Sequence, residues 1–219
     1  MERGGDSTKT TKEEILIKAL ALFAERGYDA VSTGMLAGEL GITKGALYRH
    51  FESKQAIYDA IFAKMIELDA KQAEDNGVPG EAYEQDTSHY GTTSLRDLCG
   101  FVNAQFVFWT ENEFARLFRR LITIEQFKSP ELMKRYQDVI AAGPVAYTED
   151  IFREMLQNGA LNEAAKKLGS GALALELFAP LQLSIQLSDG GEDRETVKEN
   201  LRRVTAAFEK RYEKQEETV

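Results

Sequence analysis

The sequence contains very few of the residues that build disulfides and metal sites. Among 219 residues there is one cysteine, Cys99, and there are two histidines. A single cysteine excludes an intrachain disulfide, and one cysteine with two histidines cannot supply a convincing zinc site. We therefore expect no metal, no cofactor and a reducing, cytoplasmic compartment. We also expect Cys99 to be a small buried apolar side chain rather than a redox sensor.

Proline and long apolar runs are scarce as well. The chain has 4 prolines, and its first ten residues, MERGGDSTKT, contain no apolar stretch. Nowhere is there a run of about 18 apolar residues, so the sequence predicts neither a membrane span nor a signal peptide. Apolar residues nevertheless make up 43% of the chain. Long stretches rich in Ala, Leu, Glu and Lys favour an all-α fold with a sizeable core.

Recognisable catalytic motifs are also missing. The sequence has no nucleophile elbow, no Walker loop and no G-x-G-x-x-G motif, and its carboxylates form no pair with a plausible general-acid spacing. Only His50 and His89 are available for histidine-based catalysis. We therefore expect no catalytic residues and no enzymatic activity.

The charge of the chain is unevenly distributed. The net charge is −9, but residues 1–55 contain eight basic and eight acidic residues, so the excess negative charge lies in residues 56–219. An acidic body is repelled by DNA phosphates, and only the N-terminal part could approach them. The asymmetry predicts two parts with two tasks.

Capping residues mark the first helices. Thr11 and Glu14 have the T-x-x-E spacing of a capping box, and apolar residues follow at helical spacing until Gly27. Ser32 and Ser53 are predicted N-caps of two further helices.

The rest of the sequence predicts one long loop and several further helices. The polar stretch Asn76–Thr93 contains Gly and Pro and is predicted to be a loop. Gly143 and Pro144 should kink or divide a helix that follows Ser129. The whole pattern predicts about nine to ten helices.

Residues 33–51, TGMLAGELGITKGALYRHF, combine the features of a helix-turn-helix. Ala37 is small where two helices would cross, Gly41 lies at the turn, and Ile42 can fill the angle between the helices. The small core is completed by Leu36, Leu40 and Leu47.

This part of the chain closely resembles the N-terminal domain of the TetR family of bacterial transcriptional regulators. The resemblance is carried by ALFAERGY at 21–28, LAGELGITKGALYRHF at 36–51 and SKQAI at 53–57, and it covers about residues 11–60. It implies a helix-turn-helix DNA-binding domain of three helices at residues 1–53. It also implies a larger helical ligand-binding and dimerisation domain at residues 54–219, where the resemblance is architectural only.

In that family the second helix of the motif enters the major groove. Lys44 and Arg49 could donate to guanine edges or phosphates. Gly34 replaces a longer polar or basic residue, so one contact could be missing, and Ala46 offers only a methyl group. The resemblance implies DNA-binding roles for Ser32, Thr33, Thr43, Lys44, Ala46, Tyr48, Arg49, His50 and Lys54.

The resemblance also implies a ligand cavity in the aromatic-rich middle of the chain. The residues alone leave open whether each aromatic is a cavity wall or ordinary core. The candidate ligand-binding residues are Phe101, Gln105, Trp109, Phe118, Phe127 and Tyr147.

The last two predicted helices carry long apolar stripes. Two such helices from each of two chains could form a four-helix dimer interface, although the stripes could also be ordinary core within one chain. The candidate dimerisation residues are Leu177, Leu181, Ile185, Leu201, Val204 and Phe208.

The sequence therefore predicts a ligand-responsive transcriptional regulator. We expect a repressor that binds a palindromic DNA operator as a homodimer and releases it when a small molecule binds. The alternative is a helical interaction module whose N-terminal domain has lost the ability to bind DNA. Gly34, Ala46 and the neutral net charge of residues 1–55 give this alternative mild support.

Overall fold

A computed structural model of the chain describes residues 10–78 and 93–214, and its regular elements there are helices, which confirms the all-α fold. The predicted loop Asn76–Thr93 and His89 lie largely or wholly outside the described residues. No helix in the described part has both the length and the apolar character needed to cross a bilayer. The eleven helices of this part are α1 (Lys12–Arg26), α2 (Thr33–Glu39), α3 (Lys44–His50), α4 (Lys54–Asp75), α5 (Leu95–Glu111), α6 (Glu113–Glu125), α7 (Pro130–Ile140), α8 (Ala142–Gln157), α9 (Glu163–Leu168), α10 (Ser170–Asp189) and α11 (Arg194–Tyr212).

Side-chain caps set the start of the N-terminal helices. The Thr11 hydroxyl accepts the Glu14 N–H at 3.1 Å, and the Glu14 carboxylate accepts the Thr11 N–H at 2.8 Å, which confirms the capping box. Ser32, Thr43 and Ser53 each accept an N–H three residues further on. Because α2 and α3 have only 7 residues each, such caps and tertiary packing stabilise them more than helix length does.

The predicted helix after Ser129 is divided into α7 and α8 at Ala141. A Cβ at Gly143 would lie 1.9 Å from the carbonyl oxygen of Asp138, so only glycine fits where α8 starts against the end of α7. Pro144 is the third residue of α8, where an N–H would have no helical acceptor, so the ring is accommodated. The division at Gly143 and Pro144 is the one that the sequence predicts.

One hydrophobic core extends from the head (α1–α3) into the body (α5–α11). In the body, α10 packs on α8, α5 and α11, and in the head α1 packs on α6 and α4. Phe23 of α1 and Phe118 of α6 are both fully buried. The head is therefore fixed to the body by packing and not only by the chain.

Helix α4 belongs to both parts. It has 22 residues and is about 33 Å long at 1.5 Å per residue. Near its start, the Tyr58 ring contacts the Tyr28 ring of the head, with 4.7 Å between centroids. Further along, Phe62 contacts Phe118 of the body at 4.8 Å. The predicted domain boundary after residue 53 coincides with the start of this shared helix and stays a prediction.

Candidate DNA-binding surface and ligand cavity

Helices α2 and α3 form the helix-turn-helix that the sequence predicts. Gly41 lies in the turn with φ +64°, a left-handed conformation that suits glycine. The Ile42 N–H donates to the Ala37 carbonyl at 2.9 Å, and this bond closes the turn. Leu36 and Leu47 are buried inside the head, so the opposite side of α3 remains free.

The exposed side of α3 carries Lys44, Tyr48 and Arg49. Tyr48 is 47% exposed despite its aromatic ring, and its hydroxyl lies 3.3 Å from the Thr33 hydroxyl of α2. Two cations and a pair of adjacent hydroxyls can donate to phosphate oxygens and to base edges. Such a surface has the chemistry needed to bind DNA.

Lys44 lies across Gly34. A Cβ at Gly34 would come within 2.9 Å of the Lys44 Cε and 3.3 Å of its Nζ. The missing side chain at position 34 therefore leaves room for the Lys44 stem on the surface of α2. Gly34, which we expected only to cost a contact with DNA, therefore helps to position the ammonium of Lys44.

Lys54 is directed toward the head itself. Its ammonium donates to the carbonyl oxygens of Tyr28 at 2.9 Å and Val31 at 3.0 Å, and it lies 4.1 Å from the centroid of the Tyr28 ring. Two of its three N–H donors thus hold the segment between α1 and α2. One donor remains for a phosphate, so the phosphate role is at most secondary to this positioning role.

A cavity of about 130 Å³ lies in the body. A cavity of this size can hold a group about as large as a benzene ring. Gly143 and Pro144 form part of the wall, so the division between α7 and α8 shapes the cavity. The aromatic wall residues are Phe62, Phe101, Trp109, Phe118, Tyr147 and Phe178.

Two polar side chains meet on this largely apolar wall. The Gln105 Nε2 donates to the Asp69 Oδ1 at 3.4 Å. Burial raises the pKa of the Asp69 carboxyl, and the hydrogen bond from Gln105 partly offsets that rise. Gln105 is buried, and within the described part of the chain its Oε1 accepts no hydrogen bond. The wall therefore presents a local group of acceptor oxygens.

A buried carboxylate joins the body to the head. Glu125, the last residue of α6, accepts the N–H of Tyr28 at 3.0 Å and the ammonium of Lys128 at 2.8 Å. Lys128 also forms an ion pair with Asp29 of the head at 3.0 Å, and its hydrogen bond to Glu125 raises the pKa of its ammonium. Because Phe118 of α6 lines the cavity, this helix contacts both the cavity and the head.

The head matches a known family. Residues 15–61 match the family model of bacterial regulatory proteins, tetR family. Residues 15–61 are therefore similar to the N-terminal domain of that family. The matched residues run from the first turn of α1 into α4, which confirms the resemblance carried by the sequence motifs.

Two curated proteins are similar to part of this chain. Over 66 residues the chain is 36% identical to the TetC protein of transposon Tn10 from Escherichia coli, covering 30% of this chain and 34% of TetC. Over 48 residues it is 42% identical to IcaR, a negative transcriptional regulator of the biofilm operon icaADBC in Staphylococcus aureus, covering 22% and 26%. The chain thus matches about a third or less of the length of these relatives.

The similarity of fold extends over nearly the whole chain. SmeT, the repressor of the multidrug efflux pump SmeDEF of Stenotrophomonas maltophilia, aligns in its triclosan complex with a TM-score of 0.66 and 20% identity. The alignment covers 95% of this chain and 94% of SmeT. The likeness of fold therefore extends from the head, whose residues 15–61 match the family model, into the helical body.

The nine predicted DNA-binding residues lie on or beside α2, α3 and the start of α4, and their contacts with DNA remain a prediction. The sequence patterns did not single out Lys12 as a cation close to α3. Its ammonium lies 5.7 Å from the centroid of the Phe51 ring, just after α3. Only the packing of the start of α1 beside the end of α3 reveals this cation, because no spacing rule connects positions 12 and 51.

Five of the six predicted ligand-binding residues line the cavity, namely Phe101, Gln105, Trp109, Phe118 and Tyr147, and their contact with a ligand stays a prediction. The prediction for Phe127 is wrong, because its side chain is 82% exposed and lies beyond the end of α6. Asp69 was missed, since a single carboxylate on a long polar helix is indistinguishable in sequence from a solvated one.

The predicted dimerisation residues need a larger correction. The structure buries five of the six in the core of their own chain, so they cannot contribute surface to a second copy: Leu177, Leu181, Ile185, Leu201 and Phe208. Leu181 and Ile185 also line the cavity. Only Val204 is exposed, at 46%. A helix that is apolar on all sides does not reveal in sequence which side its own chain covers.

Cys99 is buried, as predicted, with 3% of its surface exposed. Burial, together with the nearby Glu209 carboxylate, raises the pKa of its thiol to about 12. The thiolate is therefore disfavoured at neutral pH, which agrees with an apolar packing role rather than redox sensing.

Proposed function

We propose that this protein is a transcriptional repressor that acts in the cytoplasm, binding a palindromic operator as a homodimer and releasing it when a small molecule enters the cavity. One observation carries the proposal: α6 contacts both the buried cavity, through Phe118, and the DNA-binding head, through Glu125. The similar proteins support it, since IcaR is a negative regulator and SmeT is a repressor that forms a complex with triclosan.

DNA recognition would use the exposed face of α3. Lys44 and Arg49 can donate to guanine O6 and N7 or to phosphates, and the paired hydroxyls of Thr33 and Tyr48 can donate to phosphate oxygens. Because the net charge of the chain is −9, non-specific attraction to DNA is weak. Specific binding then depends on these few contacts and weakens as the salt concentration rises.

The homodimer would use the exposed side of α10. Leu175 and Leu183 are each 58% exposed and Leu187 is 42% exposed, while Val204 lies exposed on the neighbouring α11. Apolar side chains that recur along one side of a helix are covered in many proteins by a second copy. Such a dimer would present two α3 helices to successive major grooves about 34 Å apart.

Release of the operator would pass through α6. A ligand that displaces Phe118 must shift α6, and Glu125 at its end would carry that shift to Tyr28 and, through Lys128, to Asp29. Coupling of this kind is typically worth about 1–3 kcal/mol, which changes operator affinity by about 5- to 150-fold.

The test is the selection of bound DNA from a random pool, followed by gel-shift titration of the selected site. Replacing Lys44 and Tyr48 together by alanine should weaken binding at least about tenfold. Lys166→Ala is the matched control, because Lys166 is an exposed lysine of α9 paired with Glu163, and it should bind like the wild type.

Two results would contradict the proposal. If the purified protein selects no sequence over random DNA, it is not a sequence-specific regulator. If the double variant binds the selected site as tightly as the wild type, α3 is not the helix that recognises the DNA sequence.

A further inference from the structure

The charged side chains around the cavity are unequally paired. Arg119 forms a bidentate ion pair with Asp189. Asp138 accepts a hydrogen bond from the ammonium of Lys134 at 2.6 Å. Asp69 differs, because no basic side chain of residues 10–78 and 93–214 lies within ion-pair distance of it. Its hydrogen bond comes from the neutral amide of Gln105. The cavity wall thus carries one carboxylate without a counter-charge.

The group beside Asp69 is also an acceptor. The Gln105 amide must direct its NH₂ at the carboxylate, since the opposite orientation would face two acceptors against each other. This leaves Oε1 buried without a donor from the described residues. A half-buried carboxylate and a buried carbonyl oxygen side by side both require N–H or O–H donors. Burial, which raises the pKa of Asp69, shows how unfavourable this charge is without a cation.

The remaining wall suits an aromatic ring. Phe62, Phe101 and Trp109 surround the same cavity, and its volume of about 130 Å³ corresponds to a benzene-sized group. Aromatic faces also attract organic cations. An organic acid would instead bring a second negative charge toward Asp69. The charge of Arg119 is already balanced by Asp189, although its buried Nε–H has no acceptor among the described residues.

We infer that the cavity takes a protonated arylalkyl amine, with its ring between the aromatic side chains and its ammonium donating to the Asp69 carboxylate and the Gln105 carbonyl oxygen. This inference rests on the proposed function, in which a ligand in this cavity controls DNA binding. It specifies the class of that ligand: a small primary or secondary amine, positively charged at neutral pH.

The test uses three probes of nearly equal size: 2-phenylethylamine, 2-phenylethanol and phenylacetate. Binding is followed by the fluorescence of Trp109, the single tryptophan of the chain, which lines the cavity. The amine should bind at least about tenfold more tightly than the alcohol, and phenylacetate should bind most weakly. Equal binding of amine and alcohol, tighter binding of phenylacetate, or no binding of the amine at millimolar concentration would each overturn the inference.

Two variants locate the charge that the amine meets. Asp69→Asn should reduce amine binding to the level of the alcohol and leave alcohol binding unchanged. Asp138→Asn is the matched control, because Asp138 also lines the cavity but is paired with Lys134, and it should keep the preference for the amine. Retention of the preference in Asp69→Asn would overturn the inference.

A gel shift on the same protein separates this inference from the proposed function. If the wild-type protein binds DNA sequence-specifically but shows no preference for the amine, only the inference is contradicted. A preserved amine preference in a protein that selects no DNA sequence contradicts the proposed function instead.

Discussion

Lys44 and Lys54 show how one side-chain type takes two tasks within the head. Lys44 extends over Gly34 into solvent, whereas Lys54 donates to two carbonyls of its own domain. The motif places both at DNA-binding positions. Their difference depends on where the carbonyls of Tyr28 and Val31 lie, and this is a tertiary feature that a linear motif does not contain.

Asp69 should lower the stability of the protein at neutral pH. Its folded-state pKa is raised by burial, so the folded chain holds this proton more tightly than the unfolded chain. Stability therefore falls as the pH rises through the ordinary carboxyl pKa toward the raised one. Asp69→Asn removes this half-buried charge, and we expect it to raise the Tm at pH 7.5 by on the order of 2 °C.

Thermal unfolding followed by circular dichroism at pH 7.5 and pH 4 checks this expectation. The advantage of Asp69→Asn should shrink at the lower pH, because the raised pKa of the wild-type carboxyl favours its protonation as the pH falls. Asp138→Asn, at the paired carboxylate, should show no such pH-dependent gain. A lower Tm for Asp69→Asn than for the wild type at pH 7.5 would contradict the argument.

At the scale of elements, the junction of α7 and α8 requires Gly143. A methyl group there would lie 1.9 Å from the Asp138 carbonyl oxygen, so the start of α8 would have to move. We expect Gly143→Ala to reduce the free energy of unfolding by about 2–3 kcal/mol, as measured by urea denaturation.

The matched control is Gly100→Ala. Gly100 is exposed inside α5, and a Cβ there would meet nothing within 4 Å. Alanine at that position should stabilise the protein by up to about 1 kcal/mol. If both variants were equally stable, the close approach at Gly143 would not be a constraint.

Element boundaries were the most predictable part of the structure, because their signals are local. The reciprocal bonds of Thr11 and Glu14 and the caps at Ser32 and Ser53 lie where the sequence predicts them. The covered face of an element was less predictable. Phe127 follows a helix rich in apolar residues yet is exposed, because α6 ends two residues before it.

At the scale of the whole molecule, the exposed leucines of α10 should decide the oligomeric state. Leu183→Glu would place a charge from each copy in the proposed dimer interface. We expect the dimer dissociation constant to rise on the order of 100-fold, as measured by sedimentation velocity at micromolar concentration, with a parallel loss of operator binding.

Ile124→Glu is the matched control for this variant. Ile124 is also an exposed apolar residue, 45% exposed on α6, but it lies outside the exposed side of α10. It should leave the oligomeric state unchanged. A Leu183→Glu protein that sediments as a dimer would show that α10 does not form the interface.

Composition was sufficient to predict the all-α class and the motifs were sufficient to predict the head, whereas the ligand-binding role of the five cavity residues was implied by the resemblance and stays a prediction. Composition and motifs could not predict which side chain lies beside the Asp69 carboxylate in the cavity. Whether Asp69 meets a lysine or a glutamine depends on how α4 packs on α5, and neither helix carries a periodic signal for that contact. The same limit applies to α10, whose Leu181 and Leu183 are equally apolar in sequence but lie on opposite sides.

The bond between Glu125 and the Tyr28 N–H has a consequence for protein engineering. A head of this kind is not freely interchangeable, because part of its own backbone is satisfied by a carboxylate of the body. A chimera that grafts residues 11–53 onto the body of another regulator would leave that N–H without its acceptor unless the new scaffold supplied an acid at the end of the corresponding helix. We therefore expect chimeras of a head and a foreign body to fold best when Glu125 and Lys128 are transferred together with the head.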